Sequence, residues 1–169
     1  TLKQANHIPY LKLKIGGGCG PGDEPFVKRM RDRLHAKALL GEVEFHPDVS
    51  RQEKQDFLKS LSALSVPAQF GESFGFYIIE AMAAGVPVVQ PRCASFPELV
   101  EATGGGVCYK HDGPESLADA IEKMLHNPTE AKALGLKARE AVREHFSIER
   151  MAGEMAALFG TLTPNPTEA

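Results

Sequence analysis

The stretch that decides the fold is residues 71–89, which read GESFGFYIIEAMAAGVPVV. It passes from a glycine-containing loop into an apolar stretch of helical length, residues 76–84, and Gly85 ends that helix. Residues 87–89 then have the β-branched character of a short strand. A loop, a helix and a strand in this order are typical of a parallel α/β sheet, in which crossover helices join neighbouring strands.

The rest of the chain repeats this alternation, and its 169 residues with 43% hydrophobic content can bury one core. We therefore predict one domain over residues 1–169, a doubly wound, Rossmann-like parallel sheet, with a frayed tail over residues 161–169. The predicted strands are residues 10–15, 43–45, 62–66, 87–89 and 107–109. The predicted helices with both ends defined cover residues 23–41, 76–84 and 147 to about 159. A further helix starts at the Ser50–Glu53 capping box, a short helix follows Pro97, and two more start at Pro114 and Pro128.

Composition excludes several classes of function. The net charge is −3 and the basic residues form no long run, which argues against a nucleic-acid partner. The longest apolar stretch, around residues 74–79, is far shorter than the ~20 residues of a membrane span. The three cysteines fit neither a disulfide framework nor a zinc site, so we expect a cytoplasmic protein. The chain starts at Thr1, and we expect it to be a fragment of a longer polypeptide.

Ligands of an open parallel sheet lie outside the carboxyl ends of the strands. We expect three loops to meet there, at residues 16–24, 46–50 and 67–75. Glycines allow close backbone approach, and the start of a helix offers free N–H groups to an anion. The glycine loop at residues 16–22 is a weak signal by itself, because it lacks the spacing of a dinucleotide fingerprint and a P-loop lysine.

Glu80 is the only charged residue of the predicted helix at residues 76–84. A carboxylate in so apolar a helix loses hydration unless it gains partners. Two interpretations stay open: a buried ion pair, for example with Arg92, or an acceptor for ligand hydroxyls. A diphosphate at the start of this helix would place an attached ribose beside Glu80. Glu72, in the loop, would then face what the diphosphate carries on its other side.

The same stretch resembles the Glu-x7-Glu signature of the retaining GT-B glycosyltransferases of family 4, also called group 1. The resemblance covers roughly residues 10–160 and is confined to the C-terminal, donor-binding half of such enzymes. It extends to the first strand with its glycine loop, the strand at residues 43–45, the Pro-Glu element at residues 96–100 and the C-terminal helices.

The resemblance implies roles for individual residues. Glu80 would bind the ribose hydroxyls, and Glu72, the catalytic residue, would contact the donor sugar near the reaction centre. Backbone N–H groups at the start of the helix would hold the distal phosphate, and the loop at residues 46–49 would lie against the base. The implied substrate-binding residues are Gly16, Gly17, His46, Pro47, Val49, Glu72, Ser73, Phe74, Gly75, Phe76, Tyr77 and Glu80.

Members of this family need no metal ion or cofactor, and the product keeps the anomeric configuration of the donor. The implied partners are a nucleotide sugar and an N-terminal acceptor-binding domain, which lies outside this chain together with the family's diphosphate-binding Arg and Lys. The chain also departs from the family where Ala94 and Ser95 replace a common Gly-Gly pair. Two alternatives stay open: half of a nucleotide-sugar epimerase, and a non-catalytic nucleotide-binding module.

The final predicted helix carries Met151, Met155, Leu158 and Phe159. We expect these side chains to pack into the core, because an apolar stripe at helical spacing is the usual mark of a core-facing helix. The resemblance leaves a second role open, since in GT-B enzymes this region crosses back towards the partner domain.

Overall fold

The computed structural model describes Leu2, residues 7–68 and residues 70–162. The strands are β1 (Leu13–Gly17), β2 (Val43–Pro47), β3 (Val88–Pro91) and β4 (Gly106–Tyr109). The α-helices are α1 (Glu24–Ala36), α2 (Arg51–Lys59), α3 (Phe76–Ala83), α4 (Phe96–Thr103), α5 (Pro114–His126), α6 (Pro128–His145) and α7 (Ile148–Leu162). Helices separate the strands along the chain, which confirms the predicted α/β class.

Both strand pairs are parallel. β1 pairs with β2, so that Leu13 lies opposite Val43, and β3 pairs with β4, so that Val88 lies opposite Gly106. Parallel neighbours need a crossover connection, and helices supply it here. Within the described residues the strands form two two-stranded sheets, and no shared strand joins them.

The predicted strand at residues 62–66 is wrong in extent. Leu64 forms a single parallel bridge to Val88. Two residues later, the backbone N–H of Val66 donates to the side-chain oxygen of Gln90 at 3.3 Å. A side chain thus takes the place of a backbone acceptor, and the ladder ends after one bridge.

Two core clusters lie on opposite faces of β3. Val88 belongs to one cluster and Val89 to the other, because successive residues of a strand point to opposite faces of the sheet. The first cluster draws mainly on α3, α4 and α6, and includes Ile78, Met82, Phe96 and Ala138. The second draws on β4, α5 and α6, and includes Tyr109, Met124 and Ala131. Helices therefore cover both faces, as expected of a doubly wound fold.

The first two strands end two residues later than predicted, and the first also starts later, at Leu13 and not at Tyr10. Gly16 and Gly17 belong to β1, and His46 and Pro47 belong to β2, where they lie opposite each other in register. Glycine and proline are poor strand formers by preference. The parallel ladder between the two strands holds them in extended backbone nevertheless.

The first helix ends earlier than predicted. α1 stops at Ala36, and Ala38 adopts a left-handed φ of 53°. The predicted end, Gly41, lies instead in a short 3-10 helix over Leu40–Glu42. In contrast, the capping box of α2 is confirmed, since the side chains of Ser50 and Glu53 bond each other's backbone N–H groups.

The last helix contradicts the expected core packing. α7 has no buried residue, and Ile148 is 75% exposed. The helix lies outside both core clusters, so its apolar side chains have no core to enter. Ser147 caps it as predicted, its Oγ accepting from the backbone N–H of Arg150 at 3.3 Å. α7 ends at Leu162, somewhat later than the predicted Phe159, and residues 163–169 of the predicted frayed tail lie outside the described residues.

Candidate functional site

Gly75 shapes the entry into α3. Its φ of 86° and ψ of 62° lie in the left-handed region, which glycine adopts without steric cost. A Cβ there would also lie 3.4 Å from side-chain atoms of Glu72, Ile78 and Phe96. No side chain of the described chain caps α3, and the first N–H groups of a helix have no acceptor within it. This end of α3 therefore offers backbone donors and a positive dipole end to an anion.

Glu72 lies half-buried in the loop before α3. Its Oε1 accepts a hydrogen bond from the backbone N–H of Ser73 at 3.1 Å. The hydroxyl of Tyr77 donates to Oε2 over a longer 3.5 Å. Burial, followed by the negative charge of Glu72, raises the pKa of Tyr77, so its phenol keeps the proton that it donates. These two contacts hold the carboxylate beside the first turn of α3.

The two phenylalanines of this stretch behave differently. Phe74 packs against the first core cluster and lies 6.2 Å from the ring of Phe146. Phe76, the first residue of α3, is 74% exposed although its ring centroid lies 5.0 Å from that of Phe74. Phe74 therefore anchors the loop, and Phe76 leaves an apolar surface at the mouth of the site.

Glu80 lies one turn into α3, and its ion-pair partner is Lys54 of α2. Lys54 Nζ is 2.5 Å from Glu80 Oε1, and both side chains are 42% exposed. The predicted ion pair is therefore present, but its partner is Lys54 and not Arg92, and the pair is only partly buried. Only one side of α3 is buried, because Ile78, Ile79, Ala81 and Met82 face the core, while Glu80 stays accessible to a ligand.

α2 connects Glu80 with the first strand pair. Phe57, three residues after Lys54, lies edge-on to the ring of His46, with centroids 5.1 Å apart. A Cβ at Gly16 would lie 3.0 Å from the Phe57 ring, so glycine lets β1 approach α2 closely. One helix therefore contacts both the predicted base-binding residues and the predicted ribose-binding residue.

Asp48, which the sequence did not single out, ties the first two loops together. Its backbone N–H donates to the carbonyl of Gly17, and its Oδ1 accepts from the backbone N–H of Cys19, both at 3.0 Å. Its φ is 49°, and aspartate is one of the few residues that tolerate this left-handed conformation. In the sequence, the position of Asp48 directly after a proline at the end of a strand could have identified it as a residue that holds the loops together.

The structure brings together only part of the predicted site. The loops at residues 16–24 and 46–50 meet through Asp48, with Pro47 exposed and Val49 half-buried. The loop at residues 67–75 has no hydrogen bond or ion pair to either of them among the described residues. Its link to them runs through α2 and α3, by way of the Lys54–Glu80 pair.

A cavity of about 400 Å³ lies elsewhere in the described chain, between β4, α5 and α6, and none of the predicted site residues lines it. The predicted site is instead an open surface at the ends of β1, β2 and α3. In the described residues no group of three or more His, Cys, Asp or Glu side chains comes close enough to hold a metal ion.

Comparison with known proteins agrees with this architecture. The family model for group 1 glycosyl transferases matches residues 1–141. A D-inositol 3-phosphate glycosyltransferase of Streptomyces griseus is 33% identical over 126 residues, which cover 73% of this chain and 26% of that protein.

Two solved structures share the fold. Sucrose-phosphate synthase from Thermosynechococcus elongatus superposes with a TM-score of 0.80 at 27% identity, over 89% of this chain and 38% of that one. HepE of Anabaena, solved with UDP, gives a TM-score of 0.83 at 20% identity, over 95% of this chain and 44% of that one.

The fold and the site together define a Rossmann-like α/β domain of the GT-B type. The chain belongs to the group 1 glycosyltransferases. It covers 26% to 44% of the length of these three relatives. No helix of the described residues has both the length and the apolar character to cross a bilayer.

Proposed function

We propose that this chain is the donor-binding domain of a retaining glycosyltransferase that binds a nucleoside-diphosphate sugar without a metal ion. The observation that carries the proposal is the arrangement around the start of α3. Glu72 lies on one side of an uncapped helix start, and Glu80 lies one turn further along with an accessible carboxylate. A ligand with an anionic centre and hydroxyls on both sides matches this arrangement.

The diphosphate binds at the start of α3 in this proposal. Backbone N–H groups of Gly75, Phe76 and Tyr77 hold the distal phosphate, and the helix dipole adds to the attraction. Glu80 accepts hydrogen bonds from the ribose hydroxyls through the oxygen that Lys54 leaves free. Glu72 contacts the sugar on the opposite side, next to the bond that breaks.

The base lies towards the first strand pair. His46, Pro47 and Val49 border it. Gly16 packs closely against Phe57, and the space beside Gly17 is open, since a Cβ there would meet no atom within 4 Å. Gly17 lines the base-binding side with its backbone, and its carbonyl accepts a hydrogen bond from the backbone N–H of Asp48. The HepE structure of the same fold contains UDP, which supports a nucleotide as the ligand class.

Departure of the nucleoside diphosphate needs stabilisation of its developing charge. Donors aimed at that charge from a fixed framework are the usual source of such stabilisation. Here the start of α3 supplies backbone donors, and Lys54 supplies a cation beside Glu80. The start of α3 and Lys54 therefore both stabilise the leaving nucleoside diphosphate.

In this proposal a separate N-terminal domain holds the acceptor. We also propose that the protein acts in the cytoplasm. Relatives more than twice as long as this chain support the missing domain. An epimerase half would need catalytic groups from that domain, and a binding module would need none. The full-length polypeptide should release nucleoside diphosphate from a nucleotide sugar only when an acceptor is present, which neither alternative predicts.

Thermal shift with UDP-, GDP- and ADP-sugars tests the ligand class. A ligand at a hundred times its dissociation constant adds about 2.7 kcal/mol to the free energy of unfolding. We expect one nucleotide series to raise the Tm and the matching free base to have little effect. If no nucleoside-diphosphate sugar raises the Tm of the full-length polypeptide, the proposed function is wrong.

A further inference from the structure

Ser95 uses its hydroxyl in an unusual way. It occupies the position before the first residue of α4, where a serine side chain ordinarily caps its own helix. In this structure it makes no such cap. Its Oγ lies 2.9 Å from the carbonyl oxygen of Glu72 and 3.1 Å from that of Phe74. A hydroxyl has one proton, so these two carbonyls share it.

Ala94, the residue before Ser95, lies against the same loop next to Gly71. Ala94 has a φ of 47°, a conformation that costs a residue with a Cβ on the order of 1 kcal/mol or more. A Cβ added at Gly71 would lie only 3.0 Å from the Cβ of Ala94. The turn before α4 therefore presses against the loop on one side of Glu72 and bonds its backbone on the other.

The backbone N–H of Ser95 also donates to the Glu72 carbonyl, over a longer 3.5 Å. Gly71 and Ser73, on either side of Glu72, are exposed, and Phe70 is 85% exposed. Phe74 anchors the loop through its ring. The Ser73 N–H and the Tyr77 hydroxyl hold the Glu72 carboxylate itself, and Ser95 holds the backbone from which that side chain extends.

We propose that Ser95 is a positioning residue that sets the Glu72 carboxylate for the donor sugar. The proposal rests on the proposed function and deepens it, because it names what orients the sugar-facing carboxylate. Ser95 acts only through the backbone of residues 72–74. It should therefore affect recognition of the sugar and leave recognition of the nucleoside diphosphate unchanged.

The test is Ser95→Ala in the full-length polypeptide, with dissociation constants measured by calorimetry for a nucleotide sugar and for its free nucleoside diphosphate. We expect the nucleotide sugar to bind about five- to tenfold more weakly, in line with one lost hydrogen bond, and the nucleoside diphosphate to change less than twofold. Ser116→Ala, which removes a serine hydroxyl bonded to Asp112 at the start of α5, is the matched control and should change neither.

A double-mutant cycle separates positioning from a general structural effect. In the Glu72→Gln background, Ser95→Ala should lower affinity for the nucleotide sugar by less than twofold, because the group that it positions is already altered. Equal losses for the two ligands, or an undiminished loss in the Glu72→Gln background, would overturn the proposal.

Amide hydrogen exchange provides a readout that does not depend on any ligand. Ser95→Ala should speed exchange at residues 71–76 and leave β3 and α5 unchanged. If the wild type binds no nucleotide sugar, the proposed function fails, and exchange alone decides whether Ser95 holds this loop. Unchanged exchange at residues 71–76 contradicts the positioning role in either case.

Discussion

Lys54 and Glu80 form an ion pair between α2 and α3, with Nζ and Oε1 2.5 Å apart. The pair connects the helix that packs on the first strand pair with the helix that precedes β3. Both side chains keep 42% of their surface exposed, so the pair lies at the surface of the domain and is not buried in its core.

Replacing Glu80 with alanine should weaken the binding of the nucleoside diphosphate more than Glu72→Ala does. Hydrogen bonds to a charged group contribute about 1.5–3 kcal/mol, and the exposure of Glu80 favours the lower end. That corresponds to roughly a tenfold rise in Kd. Isothermal titration of both variants with the same nucleoside diphosphate measures the difference. Unchanged affinity in Glu80→Ala would remove the ribose assignment.

Lys54→Met should lower the free energy of unfolding by at most about 1 kcal/mol, because half-exposed ion pairs contribute little. It should weaken nucleoside-diphosphate binding severalfold, since the cation beside the diphosphate would be lost and the negative charge of Glu80 would be left uncompensated. Urea denaturation and calorimetry give the two quantities. Lys28→Met is the control, because it breaks the more exposed pair with Asp32 on α1. Tighter binding in Lys54→Met would show instead that Lys54 competes with the ligand for Glu80.

Glu72→Gln should discriminate between two ligands. Affinity for the nucleotide sugar should fall, while affinity for the free nucleoside diphosphate should hardly change, because Glu72 lies on the loop side away from Glu80. Paired titrations with the two ligands provide the measurement. Equal losses for both would mean that Glu72 does not face the sugar.

Gly71→Ala should destabilise the protein by about 1 kcal/mol, the low end of the cost of overpacking, because Gly71 and Ala94 are both exposed. The methyl group would lie 3.0 Å from Ala94 Cβ, so Ala94→Gly should recover most of the loss. The coupling energy of the cycle, measured by denaturation of the four proteins, should exceed about 0.5 kcal/mol. Strict additivity of the two substitutions would show that these residues do not press on each other.

The chain by itself should fold and bind nucleotide weakly, yet transfer no sugar. Folding is expected because caps, strands and apolar faces agree along the chain. Catalysis should fail because the acceptor must be held in line with the donor, and that proximity can supply on the order of 7–11 kcal/mol of the barrier. Incubation with a radiolabelled nucleotide sugar and the acceptor of the full-length polypeptide measures transfer. A rate near that of the full-length polypeptide would assign the whole reaction to this chain.

Local sequence was sufficient for most of the helices and for the order of loop, helix and strand at residues 71–89. The capping box at Ser50, the glycine before α3 and the valines of β3 each depend on neighbours within a few residues. Their preferences are intrinsic to the backbone and to the periodicity of side chains. The spacing of Glu72 and Glu80 around the start of α3 followed from the same local rules.

Tertiary structure decided which residues distant in the chain contact each other. Whether Glu80 meets Arg92 or Lys54 depends on how α2 packs beside α3, and periodicity carries no information about that packing. The strand at residues 62–66 failed because a strand needs a backbone neighbour along its length, and Gln90 replaced that neighbour after one bridge. The exposed apolar side of α7, the tether at Asp48 and the hydroxyl of Ser95 likewise depend on residues distant in the chain, brought together only when the helices dock on the strands.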